Sequence, residues 1–134
     1  MRLPSIYAFL CLISTIASAQ THISTNLKTE FGWDKINKEW KFESQDEESS
    51  TFFKFNRDFT MLKHTTPTIT SAYIIQSFTH DEVEGRDQYV CMITSDEGET
   101  YIMVVDLKND NVRLITNDLK IMTQYRIKAT WTND

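Results

Sequence analysis

The sequence predicts an all-β domain: an antiparallel up-and-down meander of about eight strands, closed into a barrel or strongly curved. Three observations predict it. Short apolar runs with period-two alternation recur from Trp40 to Trp131. β-Branched and aromatic residues dominate those runs, as half-buried pleated surfaces favour. Polar turns rich in Asn, Asp, Ser and Gly separate them at hairpin spacing, with no stretch long enough for a crossover, so neighbouring strands pair antiparallel.

The first nineteen residues stand apart. Arg2 supplies a positive charge, residues 6–16 (IYAFLCLISTI) are mostly apolar, and Ala17-Ser18-Ala19 is a small-x-small cleavage signal before Gln20. This is the anatomy of a secretory signal peptide, cleaved after Ala19. The expected organisation is therefore a signal peptide over 1–19 and a single all-β domain over 20–134, secreted or periplasmic. The apolar run is shorter than the roughly 20 residues a transmembrane helix needs. No later segment is longer, so no transmembrane segment is expected in the mature chain.

Along the mature chain, residues 20–32 fit two patterns. Ile23, Leu27 and Phe31 are spaced by four, as on one helical face, but also carry odd numbers, as on one strand face. The segment 30–33 reads as strand and the rest stays open. Trp33-Asp34 and Val105-Asp106 each precede five mostly polar residues and an apolar restart. In both, the Asp side chain can accept backbone N–H bonds and start the turn. Strands are expected at 40–44, 52–55, 59–64, 71–78, 88–94, 100–106, 112–115 and 121–131. The acidic, serine-rich stretch 45–50 is expected to be a loop, with further turns at 56–58, 65–68, 81–87, 96–99, 107–111 and 116–118.

Face assignment follows from parity. Phe53, Phe55, Phe59, Met61, Tyr73, Ile75, Tyr89, Cys91, Ile93, Tyr101, Met103 and Val105 form one apolar face. Val112, Leu114, Ile121, Tyr125 and Ile127 continue it. The opposite face is polar at its ends, with Lys54, Thr60, His64, Arg113 and Lys128. In the middle Ala72, Ile74, Val90, Met92, Ile102 and Val104 make three strands apolar on both sides, which a water-facing sheet should not be. The segment carrying Ile23, Leu27 and Phe31, or a second copy of the chain, is the expected cover.

Composition excludes much. The chain has 134 residues, with 14 basic and 19 acidic. Removing the signal peptide takes Arg2 and no acid, leaving 13 basic against 19 acidic residues and a formal charge of −6. No Lys/Arg cluster offers a nucleic-acid surface. The three glycines, Gly32, Gly85 and Gly98, are too scattered for a dinucleotide or phosphate loop, and no cofactor is implied. Cys91 alone remains after cleavage, so no intramolecular disulfide forms; it reads as a small buried hydrophobe. No G-x-S-x-G signature is present, and no catalytic residue is assigned.

Residues 80–87 (HDEVEGRD) gather four carboxylates and one imidazole. The spacing fails for an EF-hand loop, because Val83 falls where a ligand belongs, and the stretch reads as a solvated hairpin loop with no metal. His22, His64 and His80 show no zinc-ligand spacing. The candidate ligand-binding residues are the aromatics of the apolar face: Phe53, Phe55, Tyr73, Tyr89, Tyr101 and Tyr125. Tyr hydroxyls on an apolar face need partners, which points to a wet pocket.

An exported chain of this length, with adjacent Gly32-Trp33 ahead of hairpin-linked strands from Glu30 to Trp131, resembles the small lipocalin-like proteins of bacterial envelopes. The resemblance implies an eight-stranded barrel whose apolar interior holds a small ligand. Two functions follow as expectations: a binding module for a small apolar or amphipathic ligand, or an envelope interaction or structural module that uses the apolar central strands against another envelope protein or a second copy. Internal volume separates them, since ligand sites occupy roughly 300 Å³ or more.

Overall fold

The structure is a computed structural model that describes residues 20–133; the expected signal peptide lies outside the described residues. Eight strands run in chain order: β1 Gln20–Asp34, β2 Glu39–Phe55, β3 Met61–Thr65, β4 Thr70–Asp81, β5 Gln88–Ser95, β6 Thr100–Asp106, β7 Asn111–Thr116 and β8 Ile121–Asn133. Each pairs antiparallel with its sequence neighbours, and β8 closes on β1, giving a closed up-and-down barrel. One end, the upper end, carries Gln20 and the β2–β3, β4–β5 and β6–β7 loops. The other four loops form the lower end.

The open question over residues 20–32 resolves as strand. Ile23 points into the barrel opposite Phe53, so the segment is a wall and does not cover the central strands. The expected loop over 45–50 is instead the middle of β2. Its residues pair with β1, Thr29 opposite Gln45, Lys28 opposite Asp46 and Leu27 opposite Glu47. Only residues 52–55 of β2 also pair with β3. The first part of β2 is therefore an edge, where charge is tolerated and blunts unwanted strand pairing. That setting explains why an acidic run is strand.

Parity fails in β1, where register shifts after Thr25 and Glu30 set Ile23 inward but Leu27 and Phe31 outward, and at two further places, each with a local cause. In the β2–β3 turn, Asn56 Oδ1 accepts the N–H groups of Thr60 and Met61 at 2.9 and 3.0 Å. Phe59 adopts a left-handed backbone there, with φ of 55°. The pairing that results sets Phe55 opposite Leu62 and Phe53 opposite His64. Leu62 and His64 thus point inward, and Met61, expected inside, is exposed. In β4 the register shifts between Ile75 and Ser77. This bulge switches the inward set from odd to even numbers, and Phe78 and His80 join the interior side.

The two Asp-initiated turns are close copies, as their sequences suggest. Asp34 accepts the backbone N–H of Ile36 and Asn37 and the side-chain amide of Asn37. Asp106 accepts the N–H and the side-chain amide of Asn109. Lys38 and Asp110, at matching positions, both sit at positive φ, 55° and 54°.

The inward residues interlock as one core of Ile23, Phe53, Phe55, Leu62, Ile75, Cys91, Ile93, Met103 and Val112 with the surrounding aromatics. The outward face carries Lys54, Lys63, Arg113 and Arg126. That is the reverse of the apolar-out alternation of a transmembrane barrel. No helix among the described residues is long and apolar enough to cross a membrane. On the central strands, Ile74 is exposed but Val104 is buried. Arg113 stands opposite Val104 and reaches across β6 to Gln88 on β5 at 3.2 Å and Asp106 at 3.3 Å. Its aliphatic stem lies over that strand, the usual way a long cation covers apolar surface.

Candidate functional site at the upper barrel end

All six candidate aromatics lie on the inward face, but they fall into three groups. Phe53 packs against Tyr125 at 5.4 Å and stacks on His64 at 4.4 Å, filling the barrel's middle. Tyr73 and Tyr101 meet edge to face at 6.0 Å towards the lower end. Phe55 and Tyr89 belong to an upper chain of rings, Phe55–Phe59–Phe78–Tyr89, with centroids 5.5, 5.0 and 5.4 Å apart. Of the six, Phe55 and Tyr89 line a cavity.

That cavity has a volume of about 90 Å³ and is lined by Thr21, Ile23, Phe55, Phe59, Phe78, Tyr89, Val105, Leu107 and Thr130. Parity reasoning missed Phe78 because of the β4 bulge. It missed Thr21 because β1 was undecided, and Leu107 and Thr130 because they stand where the wall is incomplete. β7 pairs with β8 no further than Asn111 opposite Arg126, so the last part of β8 pairs with β1 alone. In that gap runs a groove of about 360 Å³ lined by Leu107, Asp110, Ile127, Lys128, Ala129 and Thr130. Leu107 and Thr130 border both spaces.

The cavity wall is apolar apart from a few hydroxyls. Thr21 is buried, and its Oγ1 has no hydrogen-bond partner. A buried hydroxyl left so costs roughly 1–3 kcal/mol. Burial, with the nearby Asp87 and Glu82 carboxylates adding to it, pushes the Tyr89 hydroxyl up to about 12.

The loop beside this cavity contains a second constellation. His80 is on β4, stacked on Tyr89 at 4.5 Å, and its Nε2 is 2.8 Å from Asp87 Oδ1. Glu82 joins them, and one ligand atom from each of the three lies within 4.8 Å of the others. A linear loop template could not find this grouping, because hairpin pairing rather than loop spacing makes it. The signal present in the sequence is that His80 and Asp87 bracket a hairpin loop. Asp81 takes no part in it and pairs with Arg86 at 3.4 Å.

Cys91 is fully buried, and burial pushes its thiol up to about 12. The native protein therefore holds a neutral thiol while the unfolded chain ionises near the ordinary value of 9.0. Stability from this source is complete below pH 9 and is lost as pH rises from there towards 12. Tyr89 acts in the same direction over the upper part of that range. Urea midpoints should fall steadily over it, and Cys91→Ala should fall less steeply than wild type. Equal slopes would show that the thiol is not shielded.

No family model, no curated protein and no solved structure matches this chain.

Proposed function

We propose that the protein is an exported binding module for a small amphipathic molecule, held at the upper end of a lipocalin-like barrel. The observation that carries this reading is the junction of cavity and groove at Leu107 and Thr130. The cavity of about 90 Å³ alone falls short of an ordinary ligand site. Together with the groove, it provides an apolar end that excludes water and a polar end open to it. An alkyl chain or single ring lies among Ile23, Phe55, Phe78 and Val105. Its polar end reaches the groove, which Lys128 and Asp110 border with opposite charges, while the Thr21 hydroxyl donates from the cavity wall. Phe53, Tyr73, Tyr101 and Tyr125 frame the site by filling the rest of the barrel.

Calorimetric titration with octanoate and octanol tests this. Binding of one molecule per chain is expected. Val105→Phe, which fills the cavity, and Leu107→Trp, which blocks its mouth from a half-exposed position, should each weaken binding at least tenfold. Absence of binding by either probe, or binding indifferent to both variants, contradicts the reading.

A second reading, an interaction module, has its own observation. Outward on the β1–β2 hairpin, Phe31 pairs with Phe42 and Trp33 with Trp40, ring centroids 6.4 and 5.2 Å apart, with Phe42 and Trp33 exposed. An exposed aromatic face of this kind marks contact surfaces. A Phe42→Ser variant that changes the sedimentation of the isolated protein would favour a second copy as the partner.

A further inference from the structure

We propose that His80, Glu82 and Asp87 form a binding site for a borderline divalent transition-metal ion of the Zn²⁺ class. The three side chains come from the end of β4 and the β4–β5 hairpin, and their nearest ligand atoms already lie within 4.8 Å of one another. A tetrahedral ion with bonds of about 2.0–2.2 Å holds its ligands about 3.3–3.6 Å apart. The His80–Asp87 pair at 2.8 Å must open slightly and Glu82 must close, both side-chain adjustments.

Pre-organisation distinguishes this cluster from acids scattered on a turn. The His80 side chain is only 6% exposed, and its ring is held flat on Tyr89 with its Nε2 towards the carboxylates. Asp87 is fixed by its backbone, whose carbonyl accepts the Leu107 N–H at 3.0 Å from the neighbouring β6–β7 loop. The hairpin itself is closed by the Arg86 N–H donating to the Val83 carbonyl at 2.8 Å, with Gly85 supplying the left-handed residue at φ of 83°. The nearest guanidinium, Arg86, is directed to Asp81.

The donor set selects the ion. One imidazole nitrogen with two carboxylates suits Zn²⁺ and its neighbours better than Ca²⁺ or Mg²⁺, which take oxygen alone, and contains no thiolate for a soft ion. On binding, the Nε2···Oδ1 hydrogen bond gives way to coordination through the Nε2 lone pair, with the ring proton on Nδ1. Three protein ligands leave at least one position for water. The site stands independently of the ligand reading. It touches the cavity through Tyr89, which is both the platform for His80 and part of the cavity wall.

Calorimetry with Zn²⁺ on the untagged protein tests the site. One ion per chain is expected, bound at least tenfold more weakly by each of His80→Gln, Glu82→Gln and Asp87→Asn, and unchanged by His22→Gln or Asp81→Asn. No uptake, or uptake that the three substitutions leave intact, overturns the proposal. Nuclear magnetic resonance of the wild-type protein decides the matter if His80→Gln fails to fold. Co²⁺ should then broaden the resonances of His80 and Asp87 first, and broadening centred on the Asp96–Glu97 turn or on His22 overturns the proposal.

Discussion

Phe53→Ala should destabilise the protein by about 3–5 kcal/mol, the range for emptying a buried aromatic site. Phe53 is fully enclosed, and its ring is shared by two neighbours, His64 on β3 and Tyr125 on β8. Neither can collapse into the space, because each belongs to a strand fixed on both sides: β3 between β2 and β4, β8 between β7 and β1. Phe52→Ala, one residue earlier, removes a ring that is 40% exposed on the outer face and should cost less than about 1 kcal/mol. Urea denaturation of the two variants checks the inward–outward assignment. Equal losses would mean that β2 is set in the wrong register.

Asp106→Ala should cost about 2–3 kcal/mol, clearly more than Asp34→Ala in the matching turn. The two aspartates accept similar bonds from their turns. They differ in surroundings. Asp34 lies at the hairpin tip, where the bonds from Asn37 and Ile36 hold its carboxyl below the ordinary value but water competes. Asp106 is buried and faces Arg113 at 3.3 Å, so its removal strips a partly shielded guanidinium of its partner and loosens the cover over Val104. Because Arg113 remains 27% exposed, the loss stays below that of a fully buried ion pair. Asp106→Asn keeps an acceptor for Asn109 and should recover about half of the difference. Thermal and urea denaturation measure all three variants, and identical costs for Asp34→Ala and Asp106→Ala would remove the role assigned to Arg113.

The barrel was legible wherever alternation ran unbroken. Tyr89-Val90-Cys91-Met92-Ile93 and Tyr101 to Val105 take the faces their parity predicts, since a strand paired on both sides has no freedom to slip. Reading failed where one residue changed the count. The left-handed Phe59 and the bulge after Ile75 each moved a strand by one position. Hence Met61 went out, Leu62 and His64 came in, and Phe78 reached the cavity. Neither event carries a glycine that would announce it. The acidic run of β2 was misread for a different reason. Its charge reflects an edge position, and edges are a property of the whole sheet rather than of the segment. Six aromatics were correctly read as inward, but parity could not say which of them fill the barrel and which line space. That depends on the gap beyond Asn111, where β7 ends before β8 does.

The most direct test of the central claim is the set of intermolecular nuclear Overhauser effects from the terminal methyl of bound octanoate. Contacts are expected from that methyl to Phe55, Phe78 and Val105, with the carboxylate end near Thr130 and Lys128. Contacts confined to Trp33, Trp40 and Phe42 on the outer face of the hairpin would contradict it and place binding on the outside of the barrel.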